Sequence, residues 1–259
     1  TRFRNVTGVQ TCALPILSKL TNSQVAAIET NDLSSLRNDQ IQALTSQFAS
    51  LTTAQIAALS TQQVRNLTNG QLASLTNSQL ISIETRDIAA LKADQISAFS
   101  SLQLSTLQTT QIKAMTSDQI KFMSTAQLQG LTTAQLAMVT GSNLKAISAD
   151  RISALGLQQI KSLSLDQVNT LTAAQLIALT PAQKAANKYL ATLTEDQLMV
   201  RLNANDAATF TTAQLASWSK AKISAMPTSF LAALDANQLI ALSTDRKSTR
   251  LNSSHVSES

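Results

Sequence analysis

The chain has 259 residues, of which 44% are hydrophobic, 3% aromatic and 14% charged, with one cysteine, one histidine and five glycines. A single cysteine excludes an internal disulfide framework, and so few aromatics leave little for nucleic-acid bases to stack on. No apolar run approaches the roughly 20 residues that a membrane helix needs.

The first element, residues 1–16, does not read as native protein. Val6-Thr-Gly-Val-Gln-Thr-Cys-Ala-Leu-Pro-Ile16 resembles, codon by codon, the translated reverse complement of a common short-read sequencing adapter. At the other end, Asp245-Arg-Lys-Ser-Thr-Arg-Leu-Asn-Ser-Ser-His255 resembles the translation of the forward strand. Residues 1–16 and 245–259 are therefore expected to be adapter-derived and are set aside in reasoning about the fold. Leu17 to Thr244 is expected to be an internal fragment of a longer reading frame. Cys12 and His255 then both fall in adapter. The ends also hold five bases (Arg2, Arg4, Arg246, Lys247, Arg250) and two acids (Asp245, Glu258). Taking these from 20 bases and 15 acids leaves 15 and 13, so the net charge drops from +5 to +2. The sequence pI of about 9.6 is inflated in the same way and is no argument for nucleic acid.

Residues 17–183 read as an array of eight-residue units, in unbroken register from Leu51 to Leu179. Each unit is apolar, Ser/Thr, two variable residues, Gln, apolar, variable, small, as in Leu51-Thr-Thr-Ala-Gln-Ile-Ala-Ala and Leu131-Thr-Thr-Ala-Gln-Leu-Ala-Met. Position 2 is an N-cap and position 5 the Gln at N3, together a capping box; positions 1 and 6 form the accompanying hydrophobic staple. Each unit thus specifies the start of a helix, then does so again eight residues later. Asp32 and Asp87 replace the Gln as alternative acceptors. Lys92 and Gln108 are poor caps, and Arg151 at position 5 cannot accept.

A continuous helix is excluded, because eight residues at ~100° each overshoot two turns by roughly 80° and spiral the apolar stripe around the axis. A coiled coil needs a seven- or eleven-residue period. Scarce glycine, with Ala and Gln favouring helix, opposes a β-solenoid. The expected fold is all-α: a repeat solenoid of short capped helices, eight residues per unit, with positions 1 and 6 inward and the small position 8 at close approaches between turns. A bundle of longer, fused helices and a disordered chain are the alternatives. Leu44 to Leu51 is one residue short.

Residues 184–201 break the register. Lys184 to Thr192 is expected to run on from the proline-started unit as one longer helix, and Leu193-Thr-Glu-Asp-Gln-Leu198 reads as a further unit. Octads resume over residues 202–244, at Leu202, Phe210, Trp218, Met226, Leu234 and Leu242, with Pro227 making one of them irregular.

No catalytic, cofactor-binding or metal-ligating residue is identified. Without native His or Cys there is no Ser–His or Cys–His arrangement and no imidazole or thiolate metal site. Glu195-Asp196, the one adjacent carboxylate pair, occupies a helix N-terminus that favours negative charge. Asp150-Arg151 and Glu84-Thr-Arg-Asp87 read as solvated surface. Trp218 and Tyr189 read as core or rim packing. Position 7 carries Arg65, Lys113, Lys121, Lys145 and Lys161, spaced so as to form a ladder that could meet phosphates or anionic glycans. Acids recur at position 4 (Asp94, Asp118, Asp150, Asp166) and oppose specific nucleic-acid binding.

The octads resemble repetitive tracts of large bacterial proteins described as surface-exposed or adhesin-like. That resemblance covers nearly all of Leu17–Thr244 and implies a non-enzymatic spacer, stalk or interaction surface on an exported protein, with an extracellular or cell-surface location. No cofactor is implied, and the partner class it suggests is a protein or a surface glycan. The alternative is a peptide- or protein-binding scaffold, which a concave face clustering Ile81, Phe122, Met138 and Ile177 would favour.

Overall fold

The computed structural model describes residues 16–199 and 201–242. Residues 1–15 and 243–259, including Cys12 and His255, lie outside the described residues.

Helix Thr133–Met138 shows how one octad folds. Thr132 at its N-cap is extended, at φ −67° and ψ 159°. Its hydroxyl accepts from the Gln135 N–H at 3.2 Å, and its own N–H donates to Gln135 Oε1 at 2.8 Å. Both halves of the capping box are made. After the six helical residues the chain turns at Val139, again extended at φ −66° and ψ 121°, and the Val139 N–H bonds back to the Leu136 carbonyl at 3.1 Å. No described residue has a positive φ. The corner is therefore turned by the β-region backbone of the apolar residue at position 1, which explains why the array needs so little glycine. Among the described residues there is no strand. The all-α solenoid of short helices is the observed architecture.

Helices this short are unstable alone, because nucleation is costly. Burial of positions 1 and 6 offsets that: Leu131 and Leu136 are 2% and 0% exposed, and their counterparts from Leu51 to Leu179 are buried throughout, with the half-buried Lys184 beyond them. Each such side chain contributes about 1.5–3 kcal/mol.

The chain divides into two compact units, one ending at Ile147 and the other beginning at Ser148. That division falls inside the 17–183 array, not at the 184–201 break. In the first unit the helices stack three apart in chain order, producing three columns. Thr53–Ala57, Asn77–Ser82, Ser101–Thr106 and Thr125–Gly130 stack in one column. Thr61–Arg65, Thr85–Ala90, Thr109–Ala114 and Thr133–Met138 stack in the second. Ala93–Ile96, Ser117–Phe122 and Gly141–Lys145 stack in the third. Close approach of turns at position 8 is seen at Gly130, whereas Phe122 and Met138 at the same position are exposed. A Cβ at Gly130 would come within 2.8 Å of Ser101 Cβ and 3.1 Å of the Ser101 carbonyl. The missing residue between Leu44 and Leu51 is absorbed by a 3-10 turn, Phe48–Ser50, with Phe48 fully buried.

In the second unit Ala149–Ser153 packs on Ala173–Ala178, and Leu157–Lys161 on Pro181–Ala186. The longer helix expected over residues 184–192 does not form. The helix stops at Ala186, and Asn187 is extended at φ −108° and ψ 123°. Helix Glu195–Met199 follows Thr194, whose N–H and hydroxyl close a box with Gln197. The side chains of Glu195 and Asp196 lie outside the described residues. The resumed octads bury Leu202, Phe210, Trp218, Met226, Leu234 and Leu242. Trp218 is a core residue, 5.0 Å from the Phe210 ring edge-on and stacked 6.2 Å from Phe230. Pro227 disrupts its unit less than expected. It serves as an N-cap without a side-chain bond, and helix Thr228–Ala232 begins directly after it.

Candidate functional site

The position-5 glutamines have a second role that an octad taken alone does not show. From Gln55 to Gln135 each uses Oε1 to accept the N-cap N–H of its own helix and Nε2 to donate to the preceding superhelical turn. Gln119 Nε2 donates to the carbonyls of Ile88 at 2.7 Å and Leu91 at 2.8 Å. Gln111 reaches Leu80 and Ile83 at 2.9 and 2.8 Å, Gln127 reaches Ile96 and Phe99 at 2.9 and 2.6 Å, and Gln135 reaches Leu104 and Leu107 at 2.9 and 2.7 Å. The acceptors lie 31 and 28 residues back, at positions 6 and 1 flanking one corner. Helix C-termini leave carbonyls short of donors; these amides supply the position-1 carbonyl and add a second donor to the position-6 carbonyl, which also accepts the position-1 N–H. Gln111 and Gln119 are each 1% exposed. The result is a buried seam of amide hydrogen bonds joining successive turns.

Where a shorter side chain replaces the Gln, a hydroxyl 26 residues earlier fills the gap. Asn143 donates Nδ2–H to the Met115 carbonyl at 2.9 Å while its Oδ1 accepts from Ser117 Oγ at 2.7 Å. Asp87 accepts from Thr61 Oγ1 at 2.6 Å. Neither Asp32 nor Asp87 closes a capping box as expected. Lys92 and Gln108 have no side-chain cap, yet their N–H groups still donate to Gln95 and Gln111 at 2.7 and 2.8 Å. Arg151 points its Nε–H at Ser148 Oγ, 3.0 Å away. Asn187 explains the end of the helix before it. Its Nδ2 donates to Ile160 and Leu163, both at 2.9 Å, and its Oδ1 accepts from the Tyr189 N–H at 2.9 Å.

The charged and apolar candidates are not gathered into a site. Of the stretch read as solvated, Arg86 pairs with Glu84 at 2.9 Å, whereas Asp87 is 2% exposed. Units eight residues apart sit on different columns, so the position-7 bases make no continuous ladder. Lys121 and Lys145 share a column, Lys113 lies in another, and Lys161 belongs to the second unit. Ile81, Phe122 and Met138 are exposed but fall on three different columns, while Ile177 is half-buried in the second unit. The three in the first unit do not share a column. Tyr189 is half-buried, with Lys188 Nζ 4.8 Å from its ring centroid.

Two carboxylates are perturbed. The Arg37 guanidinium, hydrogen-bonded to Asp39 at 2.8 and 3.0 Å, holds that carboxyl below its ordinary range. The Ser148 hydroxyl does the same for Asp150. Asp150 lies in a groove of about 550 Å³ in the second unit, with Ser148, Ser153, Phe210, Thr211 and Gln214 among its lining residues. Among the described residues no group of three or more His, Cys, Asp or Glu side chains could hold a metal ion, and no helix is long and apolar enough to cross a membrane.

Comparison with curated proteins gives no match. A family model described as the ALTTAQ repeat matches residues 45–77 and 80–117. Ser50–Gln55 and Gly130–Gln135 each spell that motif with one change, at its first residue. The two matched stretches lie in the first unit, and together they mark this part of the chain as a tandem repeat tract.

Proposed function

We propose that the array is a non-enzymatic spacer or stalk segment of a large bacterial surface or secreted protein. The observation that supports it is the use of the buried side-chain chemistry. The position-5 amides in the body of the first unit are committed to joining turns, and the outward positions 3, 4 and 7 carry mainly Ser, Thr, Asn, Gln and Ala. Such a surface has little to recognise, and a nearest-neighbour array can be lengthened or shortened without redesign. The test is antibody labelling of the array on intact and on lysed source cells. Labelling of intact cells is the expected result; labelling only after lysis overturns the surface assignment.

The groove around Asp150 favours a second reading, a peptide- or protein-binding scaffold. Its volume lies within the roughly 300–1,000 Å³ of ligand sites, and Asp150 is a lone carboxylate among hydroxyls. Screening the chain and its Asp150→Ala variant against a random-peptide library separates the readings. Asp150-dependent capture of basic peptides supports the scaffold, and no capture by either protein supports the spacer.

A further inference from the structure

One turn of the first unit lacks the bonds that join all its neighbours. The position-1 carbonyls of Leu51, Leu67, Leu75, Ile83, Leu91, Phe99, Leu107 and Met115 each accept from a Gln or Asn amide in the following turn. The residue facing Leu59 is Asp87, 28 positions on, and a carboxylate has no amide proton to give. Leu59 is 1% exposed, so solvent does not substitute. Asp87 brings one acceptor oxygen into contact with Thr61 Oγ1, as Asn143 does with Ser117; where Asn143 then offers a donor, Asp87 offers a second oxygen. The helix it belongs to, Thr85–Ala90, also has neither a side-chain cap nor a box. Arg86 stands 3.7 Å from Asp87 but is 67% exposed and pairs more closely with Glu84, so it offsets little.

We infer that this is a built-in weak joint: the first unit opens first along the seam between the Ile56–Leu59 corner and helix Thr85–Ala90. Sub-global opening is expected where buried polar groups are least satisfied. Elsewhere in the unit, opening a seam breaks at least two amide bonds at each octad from Gln55 to Gln135 that carries Gln, and one amide and one hydroxyl bond at Asn143; here it breaks one hydroxyl contact. In a spacer such a joint yields before the rest of the array, although the inference itself stands on the hydrogen bonding alone.

The experiment is native-state hydrogen exchange on the full chain, comparing residues 85–91 with residues 109–115, the next helix in the same column. The expected result is exchange at least fivefold faster over 85–91. In Asp87→Asn, which restores an amide opposite Leu59 while keeping an acceptor for Thr61, exchange there slows at least fivefold and residues 133–139 are unchanged. Asp87→Gln installs the array's own residue and serves as the second variant. Equal protection of the two helices in the parent chain overturns the inference, as does unchanged or faster exchange over 85–91 in both variants, or failure of both to fold.

Discussion

Exchanging Gln119 for Glu separates a capping box from a seam. A capping box accepts Glu as readily as Gln, because only the acceptor oxygen is used. The seam does not. Gln119 Nε2 sits 2.7 and 2.8 Å from the Ile88 and Leu91 carbonyls, at a residue 1% exposed. In Gln119→Glu an acceptor replaces the donor, leaving the buried Leu91 carbonyl without a partner at about 1–3 kcal/mol and the Ile88 carbonyl with the Leu91 N–H alone. The loss is therefore at least about 1–3 kcal/mol at neutral pH, with repulsion between the new carboxylate and the two carbonyls adding to it. Burial and that repulsion raise the folded-state pKa of the new carboxyl above its unfolded value of about 4.3. The folded state then binds the extra proton more tightly, so the deficit is largest above the folded pKa and shrinks as pH falls towards the unfolded one. Urea unfolding of parent and variant at pH 7.5 and pH 5 reads both effects. A variant within 0.5 kcal/mol of the parent at pH 7.5 refutes the reasoning, as does a deficit that grows on acidification.

Ser124→Ala removes an N-cap whose hydroxyl accepts from Gln127 N–H at 3.2 Å and is expected to cost about 0.5–2 kcal/mol in urea unfolding. Gly130→Ala is expected to destabilise despite better helix propensity: the 2.8 Å approach to Ser101 costs about 1–3 kcal/mol as overpacking, against a gain of about 0.4–1 kcal/mol. Deleting residues 123–138, two whole octads, is expected to leave a cooperatively folding chain, because Ser101 then takes the place of Ser117, 26 residues before Asn143; loss of cooperativity would favour a globular bundle. The lowered pKa values of Asp39 and Asp150 make their stabilisation complete above the ordinary carboxylate value of about 3.9 and lost as pH falls through the lower folded values. In an NMR titration, Arg37→Ala and Ser148→Ala should each move the corresponding Asp midpoint upward.

The helix starts were legible because cap and staple are local: residues two to six positions apart decide them, and Thr132 with Gln135 behaves as those rules require. The seam was not legible, since its partners lie 28 and 31 residues away and the box had already accounted for the Gln. The signal was present nonetheless. Position 5 carries no Glu from Gln24 to Gln183, although a box alone admits one; a side chain with a donor prevails there, with Asp32 and Asp87 as the departures. Stacking of every third helix also escaped the octad, because the number of units per turn is set by how corners pack and not by any residue within a unit. The stretch after Lys184 misled through its Ala and Lys content, which favours helix; Asn187 gives up helical backbone to reach Ile160 and Leu163. Asp87, read as surface by its charge, is buried because its position in the octad decides its place and its chemistry does not.

The most direct measurement is a nitrogen-edited NOE spectrum of the folded chain, read at the side-chain amide protons of Gln119. Strong contacts to the Hα protons of Ile88 and Leu91, 31 and 28 residues away, are the expected result. Contacts confined to residues 115–123 would contradict the seam and leave the glutamine with its capping role alone.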